Sequence, residues 1–214
     1  MTEEKQNILV AGATGDTGKI IIDLLKKSEN YRPVAMVRQQ EQKDYFEKEG
    51  VLVILANLED DLAPAVKNTK ADKLIFAAGS KGKNLEGVDQ EGAKKLTDAA
   101  KDAGAKKFVM LSSMGADDPS VSEKLKDYLK AKHNADEYLK ASGLTYSIVR
   151  PGALTDKEGT GRIELKEKFE NQGSISRADV AKTLVEVLED GVEENQVFEI
   201  LAGEVPIEKA VRPS

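Results

Sequence analysis

The chain has 214 residues, enough for one domain with a sizeable core, and its 32 Lys and Arg against 38 Asp and Glu leave a formal charge of −6. No block of basic residues stands out, which argues against nucleic acid and against an anionic membrane as the main partner. Cysteine is absent, which excludes disulfides, thiol chemistry and Cys-based metal sites, and no apolar run is long enough to span a bilayer. Residues 1–7 are polar and do not read as a signal peptide, so the expected location is the cytoplasm.

The first apolar run, Ile8-Leu9-Val10-Ala11, leads into Gly12-Ala13-Thr14-Gly15-Asp16-Thr17-Gly18 and then a helix-like stretch, Lys19 to Leu25. A strand, a glycine turn and a helix in that order suit the pyrophosphate of a dinucleotide. Glycine lets the backbone turn tightly and approach phosphate without a Cβ in the way. The helix start offers unpaired N–H groups and the positive end of its dipole. The expected contacts are Gly12, Thr14, Gly15, Asp16, Thr17 and Gly18. The second strand, 34–38, ends in Arg38, followed by Gln39 and Gln40, with no carboxylate before Glu41. A guanidinium there pairs with a ribose 2′-phosphate, where a carboxylate would hold a free 2′-OH. NADP is therefore the expected cofactor, ahead of NAD.

Further strands are expected at 51–55, 73–78, 107–111, 145–149 and 196–201, as continuous apolar runs that suit burial on both faces of a parallel sheet. Helices are expected at 18–27, 42–49, 62–68, 85–103, 122–142 and 177–190. Gly104 and Gly143 stand just past two of them, where a C-terminal cap belongs. The alternation implies an α/β fold, a single Rossmann-type doubly wound parallel sheet with helices on both faces, over residues 1–214. The region from about 152 to 214 is short, so substrate contacts are expected from small loops within 153–173. Gly159-Thr160-Gly161 suggests mobility there. His133, the one histidine, reads as a surface residue, too isolated for a metal site.

Several motifs follow one another in order: Gly-Ala-Thr-Gly-x-Thr-Gly at 12–18, Ser112-Ser113 after the fifth strand, Tyr128-x-x-x-Lys132, and Arg150-Pro151-Gly152. Together the chain resembles the short-chain dehydrogenase/reductase superfamily, in its atypical NAD(P)H-binding branch, over most of its length. The resemblance implies an oxidoreductase acting on a small carbonyl or hydroxyl substrate. It makes Tyr128 the general acid/base, with Lys132 one helical turn on favouring the phenolate and holding the nicotinamide ribose. One of two adjacent serines would bond the substrate oxygen, since neighbours on a strand face opposite ways. The family pattern favours Ser112. Ala77, Ala78 and Gly79 would flank the ribose and nicotinamide, Asn57 and Leu58 the adenine, and Pro151 the nicotinamide.

Where core members carry a helix Asn, this chain has Asp89, either a site carboxylate or an N-terminal helix residue answering the dipole. Two rival readings stay open: a flavin or quinone reductase that can dispense with Tyr128, and a non-catalytic NADP(H) sensor. A homodimer packed across the 122–142 helix is compatible with each.

Overall fold

The computed structural model describes residues 4–212. β1 (Gln6–Ala11) runs through the glycine turn into α1 (Asp16–Lys27), followed by β2 (Tyr31–Val37), α2 (Gln40–Lys48), β3 (Leu52–Leu55), α3 (Ala63–Thr69) and β4 (Lys73–Phe76). A π-helical turn, Leu85–Glu91, passes into α4 (Gly92–Asp102), β5 (Lys107–Leu111), two 3-10 turns (Pro119–Val121 and Glu123–Leu125) and α5 (Lys126–Ala141). Then come β6 (Tyr146–Pro151), β7 (Ala153–Thr155), β8 (Arg162–Lys166), β9 (Ser174–Ser176), α6 (Arg177–Glu186), β10 (Gln196–Ala202), β11 (Val205–Pro206) and α7 (Ile207–Ala210).

The main sheet has the order β11-β8-β10-β6-β5-β4-β1-β2-β3. Pairing is parallel from β3 across to β10, and only β8 and β11 join antiparallel. The chain winds outward from β1 to β3, then returns to β4 on the other side of β1. Such a reversal opens a crevice beyond the C-terminal strand ends, which is where ligands bind in these sheets.

Each strand feeds two cores, because successive side chains point to opposite faces. Ile8 and Val10 pack with Ile21 and Leu25 of α1 and Val180 and Leu184 of α6. Leu9 and Ala11 pack with Val66 of α3, Leu96 of α4 and Leu139 of α5. Helices thus cover both faces, and the fold is the expected Rossmann-like α/β sheet.

The differences from expectation have local causes. β2 begins at Tyr31, because β1 already pairs with Tyr31 to Pro33. Pro33 precedes the start of β3 opposite Val34, so β2 is still an edge there and tolerates proline. β3 is the last strand of the sheet, not one buried on both faces, and leaves Leu52 48% and Leu55 51% exposed. The helices expected at 85–103 and 122–142 start instead as the π turn and the 3-10 turns. The strands β7, β8, β9 and β11 were not expected, and α6 ends at Glu186 rather than 190. Gly104 and Gly143 do adopt the left-handed conformation, at φ +75° and +83°.

A buried lysine pair anchors α6. Lys73 and Lys107 open β4 and β5 side by side, each 1% exposed. Lys73 Nζ donates to Leu188 O and Asp190 Oδ1, both at 2.6 Å. Lys107 Nζ donates to Val192 O at 2.6 Å and Glu189 O at 3.0 Å. The carbonyls after a helix end need such donors. Burial pulls the Lys107 amine down to about 8, against the pull of Glu194. Its folded value lies below the unfolded one of about 10.4, so the unfolded chain holds this proton more tightly and stability rises between about pH 8 and pH 10. Lys107→Met should therefore cost about 1–3 kcal/mol near neutral pH by stripping two carbonyls of their donor. The gap to wild type should widen as pH climbs through that window. Denaturant unfolding at neutral and alkaline pH checks both statements, and a gap that narrows would contradict the second.

Candidate active site

One cleft of about 630 Å³ runs over the switch point, from Arg38 at one end to Tyr128 and Lys132 at the other. Its floor is the glycine turn. Gly12 sits at φ +88°, and a Cβ on it would lie 2.6 Å from the backbone of Ala77 and Ala78. A Cβ on Gly18 would run into the Gly12 carbonyl, so this residue lets α1 pack against the turn. Gly15 is different: a Cβ there meets only Gly12 O, at 3.3 Å, which leaves open space above it. No side chain caps the first turn of α1. Free helix-start N–H groups facing open space fit a diphosphate.

At one end of the cleft, Arg38 is exposed and lines the wall. A capping box between Gln39 and Gln42 starts α2, and Gln42 Oε1 also accepts from the Arg38 N–H at 3.2 Å. Asn57 and Leu58 line the same end, with Asn57 Oδ1 accepting from the Glu59 N–H at 3.3 Å. Ala77, Ala78 and Gly79 line the middle.

At the other end, α5 places Tyr128 and Lys132 one turn apart, with Tyr128 half-buried and lining the cleft. Lys132 is 4% exposed. Its Nζ donates to Leu111 O at 3.4 Å and lies 3.7 Å from Asp89 Oδ1. The rings of Tyr128 and Phe76 are each centred 5.8 Å from that ammonium. Asp89 is 1% exposed, and its Oδ2 accepts from the Ser80 N–H at 2.9 Å. Asp89 is thus a buried carboxylate that faces Lys132, delivered there by the π turn.

Ser112 and Ser113 both line the cleft but differ in what their hydroxyls do. Ser112 Oγ donates to Asp136 Oδ2 at 2.8 Å. The same oxygen accepts from Arg150 Nε at 3.0 Å and pairs with Nη2 at 2.9 Å. Asp136 is fully buried; burial holds its carboxyl above the usual carboxylate range, and Arg150 opposes that shift only in part. Ser113 Oγ has only a long bond to Met114 O, at 3.3 Å. The Ser112 proton is committed, and Ser113 has the freer donor. The sequence did not show this, because Asp136 lies a whole element away.

Three cations in the cleft escaped sequence reasoning: Lys81, Lys83 and Arg177. The signal for Arg177 was the Ser176-x-x-Asp179 pattern, whose capping bonds start α6. From the region after Pro151, Gly152 and Leu154 also reach the cleft. The Gly159–Gly161 stretch is pinned, contrary to the mobility expected of it. Asp179 accepts from the Thr160 N–H at 3.0 Å and the Gly161 N–H at 2.7 Å. A Cβ on Gly159 would lie 2.9 Å from Ala178 Cβ, so this glycine serves close packing. His133 is half-buried rather than a plain surface residue, with Nδ1 2.8 Å from Ala116 O.

Several known proteins share this chain's sequence and fold. The chain is 41% identical over 214 residues to the Bacillus subtilis (strain 168) protein named uncharacterized sugar epimerase YhfK, covering 96% of this chain and 98% of that one. The solved oxidoreductase ylbE from Lactococcus lactis is 31% identical with a TM-score of 0.85, over 96% of this chain and 95% of that one. ChuY, an anaerobillin reductase from Escherichia coli O157:H7, is 25% identical with a TM-score of 0.83, over 98% of this chain and all of that one. Residues 12–191 match the model of the NAD(P)H-binding family, and the chain belongs to that family.

Proposed function

We propose that the protein is an NADPH-dependent reductase of small carbonyl substrates. The observation that carries this is the single cleft, which joins Arg38, the uncapped start of α1 and the Tyr128–Lys132 pair. A bound nicotinamide would supply the hydride. Arg38 would hold the 2′-phosphate, and Ala77 to Gly79 and Pro151 would flank the ribose and nicotinamide. Lys132, fixed by Asp89 and Leu111 O, faces the ribose and favours the phenolate of Tyr128. Tyr128 gives its proton to the substrate oxygen as the hydride arrives. Ser113 bonds that oxygen, while Ser112 ties the end of β5 to Asp136.

Names among the relatives, an oxidoreductase and a reductase, support redox chemistry. A flavin or quinone reductase is the second reading, favoured by Leu154, which lines the cleft while 36% exposed and offers a flat acceptor an apolar face.

Arg38→Ala is expected to weaken NADPH binding by roughly tenfold or more, the size of a lost bidentate charged pair, and to leave NADH nearly untouched. Equal losses for the two would remove the argument for NADP. The functional test is titration with both nucleotides, followed by oxidation of NADPH against aldehydes, quinones and flavins. Aldehyde turnover supports the proposal, turnover of flavins or quinones alone moves the second reading ahead, and tight binding without turnover points to a sensor.

A further inference from the structure

Two of the cations in the cleft are already engaged by carboxylates. Lys81 Nζ lies 3.3 Å from Asp16 Oδ2, with the side chains 78% and 59% exposed. Arg177 Nη1 lies 2.7 Å from Asp156 Oδ1, on an aspartate that is 86% exposed. Asp16 is the first residue of α1, at the uncapped helix start. Lys81 draws the Asp16 carboxyl below its usual range, and Arg177 adds to the pull. Both side chains line the cleft that holds this helix start, Lys81 from the loop after β4 and Arg177 from the start of α6.

The backbone is arranged for this. Lys81 and Gly82 are both left-handed, at φ +53° and +82°, which folds the loop sharply at its tip. Arg177 is the first residue of α6, fixed by the bonds between Ser176 and Asp179.

We propose that Lys81 and Arg177 form a cation clamp for the diphosphate of the dinucleotide, held in place by Asp16 and Asp156 until the diphosphate takes them over. The inference rests on the cofactor reading above. Exposed ion pairs are weak, so the exchange of a carboxylate for a phosphate costs little. A diphosphate brings two charges and more acceptor oxygens, and a guanidinium matches that geometry. The Asp16 carboxylate competes with the diphosphate for Lys81 and repels it as a like charge, so Lys81 placed between the two offsets that repulsion. Arg38 reads the 2′-phosphate at the far end, whereas the clamp is indifferent to it.

Calorimetric titration separates the two roles, using NADPH, NADH and adenosine 2′-monophosphate, which carries the 2′-phosphate but no diphosphate. Lys81→Ala and Arg177→Gln should each weaken NADPH and NADH alike, by roughly tenfold. Both should leave adenosine 2′-monophosphate unchanged and flatten the salt dependence of NADPH affinity. Asp16→Asn should tighten both dinucleotides. Arg38→Ala shows the opposite selectivity, losing NADPH and adenosine 2′-monophosphate but keeping NADH. If the clamp variants bind both dinucleotides as wild type does, or lose adenosine 2′-monophosphate equally, the clamp is overturned while the cofactor reading stands. If wild type binds neither dinucleotide, the cofactor reading falls and the clamp with it. Unchanged unfolding midpoints show that each variant is folded.

Discussion

Tyr128→Phe is expected to lower carbonyl reduction by at least about 100-fold while leaving NADPH affinity within about twofold. In the proposed function the Tyr128 phenol gives the proton to the substrate, and Phe keeps its ring but not that proton. On the proposed function affinity survives, because the nucleotide is then held by Arg38, the start of α1 and Lys132, which line the same cleft. The ring also packs over Lys132, with its centroid 5.8 Å from the ammonium, and Phe preserves that contact. Rate and binding therefore separate in this variant. Single-turnover oxidation of NADPH with an aldehyde, beside a binding titration, reads both. Turnover at the wild-type rate would sink the acid role and favour transfer to a flavin or quinone, which needs no proton from Tyr128.

The second large effect is on stability. Asp136→Ala should cost about 3–5 kcal/mol, because it leaves a buried guanidinium without its partner. Arg150 is 8% exposed, and both of its contacts to Asp136 go to one oxygen, which Ser112 shares. Nothing apolar can replace that oxygen on its own. Removing both charges is a different matter: Asp136→Leu combined with Arg150→Met should recover most of the loss, since replacing a whole buried pair by apolar groups is often near neutral. Urea unfolding of the single and double variants makes the comparison. A single-variant loss below about 1 kcal/mol would mean that the pair is compensated by water, and the network would lose its structural role.

How much of this was legible depended on how local the cause was. The turn at Gly12 to Gly18 was, because each glycine answers a contact within a few residues or with the adjacent β4 end. The central strands were, because Ile8, Leu9, Val10 and Ala11 are all buried and such runs are hard to place elsewhere. β7 and β9 were not, because three residues carry no period. Alternation showed that Ser112 and Ser113 must differ. It could not show which one meets Asp136, a partner fixed only once α5 packs behind β5. Lys81 was hidden by its surroundings, since a lysine in a loop of glycines and lysines looks solvated until the fold brings Asp16 beside it.

The π turn at Leu85–Glu91 makes this stretch of the chain sensitive to its length. A π turn closes its hydrogen bonds five residues apart, one more than an α-helix, as the bond from Gly92 N–H to Gly87 O does here. Deleting a single residue would let the segment relax into an α-helix continuous with α4. Everything ahead of the deletion would then swing by about 100° around the helix axis. Asp89 would leave Lys132 and Ser80 even if its own codon were untouched. A comparison of relatives that slides a gap through 85–91 will accordingly pair Asp89 with a residue facing another way, so counterparts of this carboxylate have to be matched by their place beside the lysine of α5.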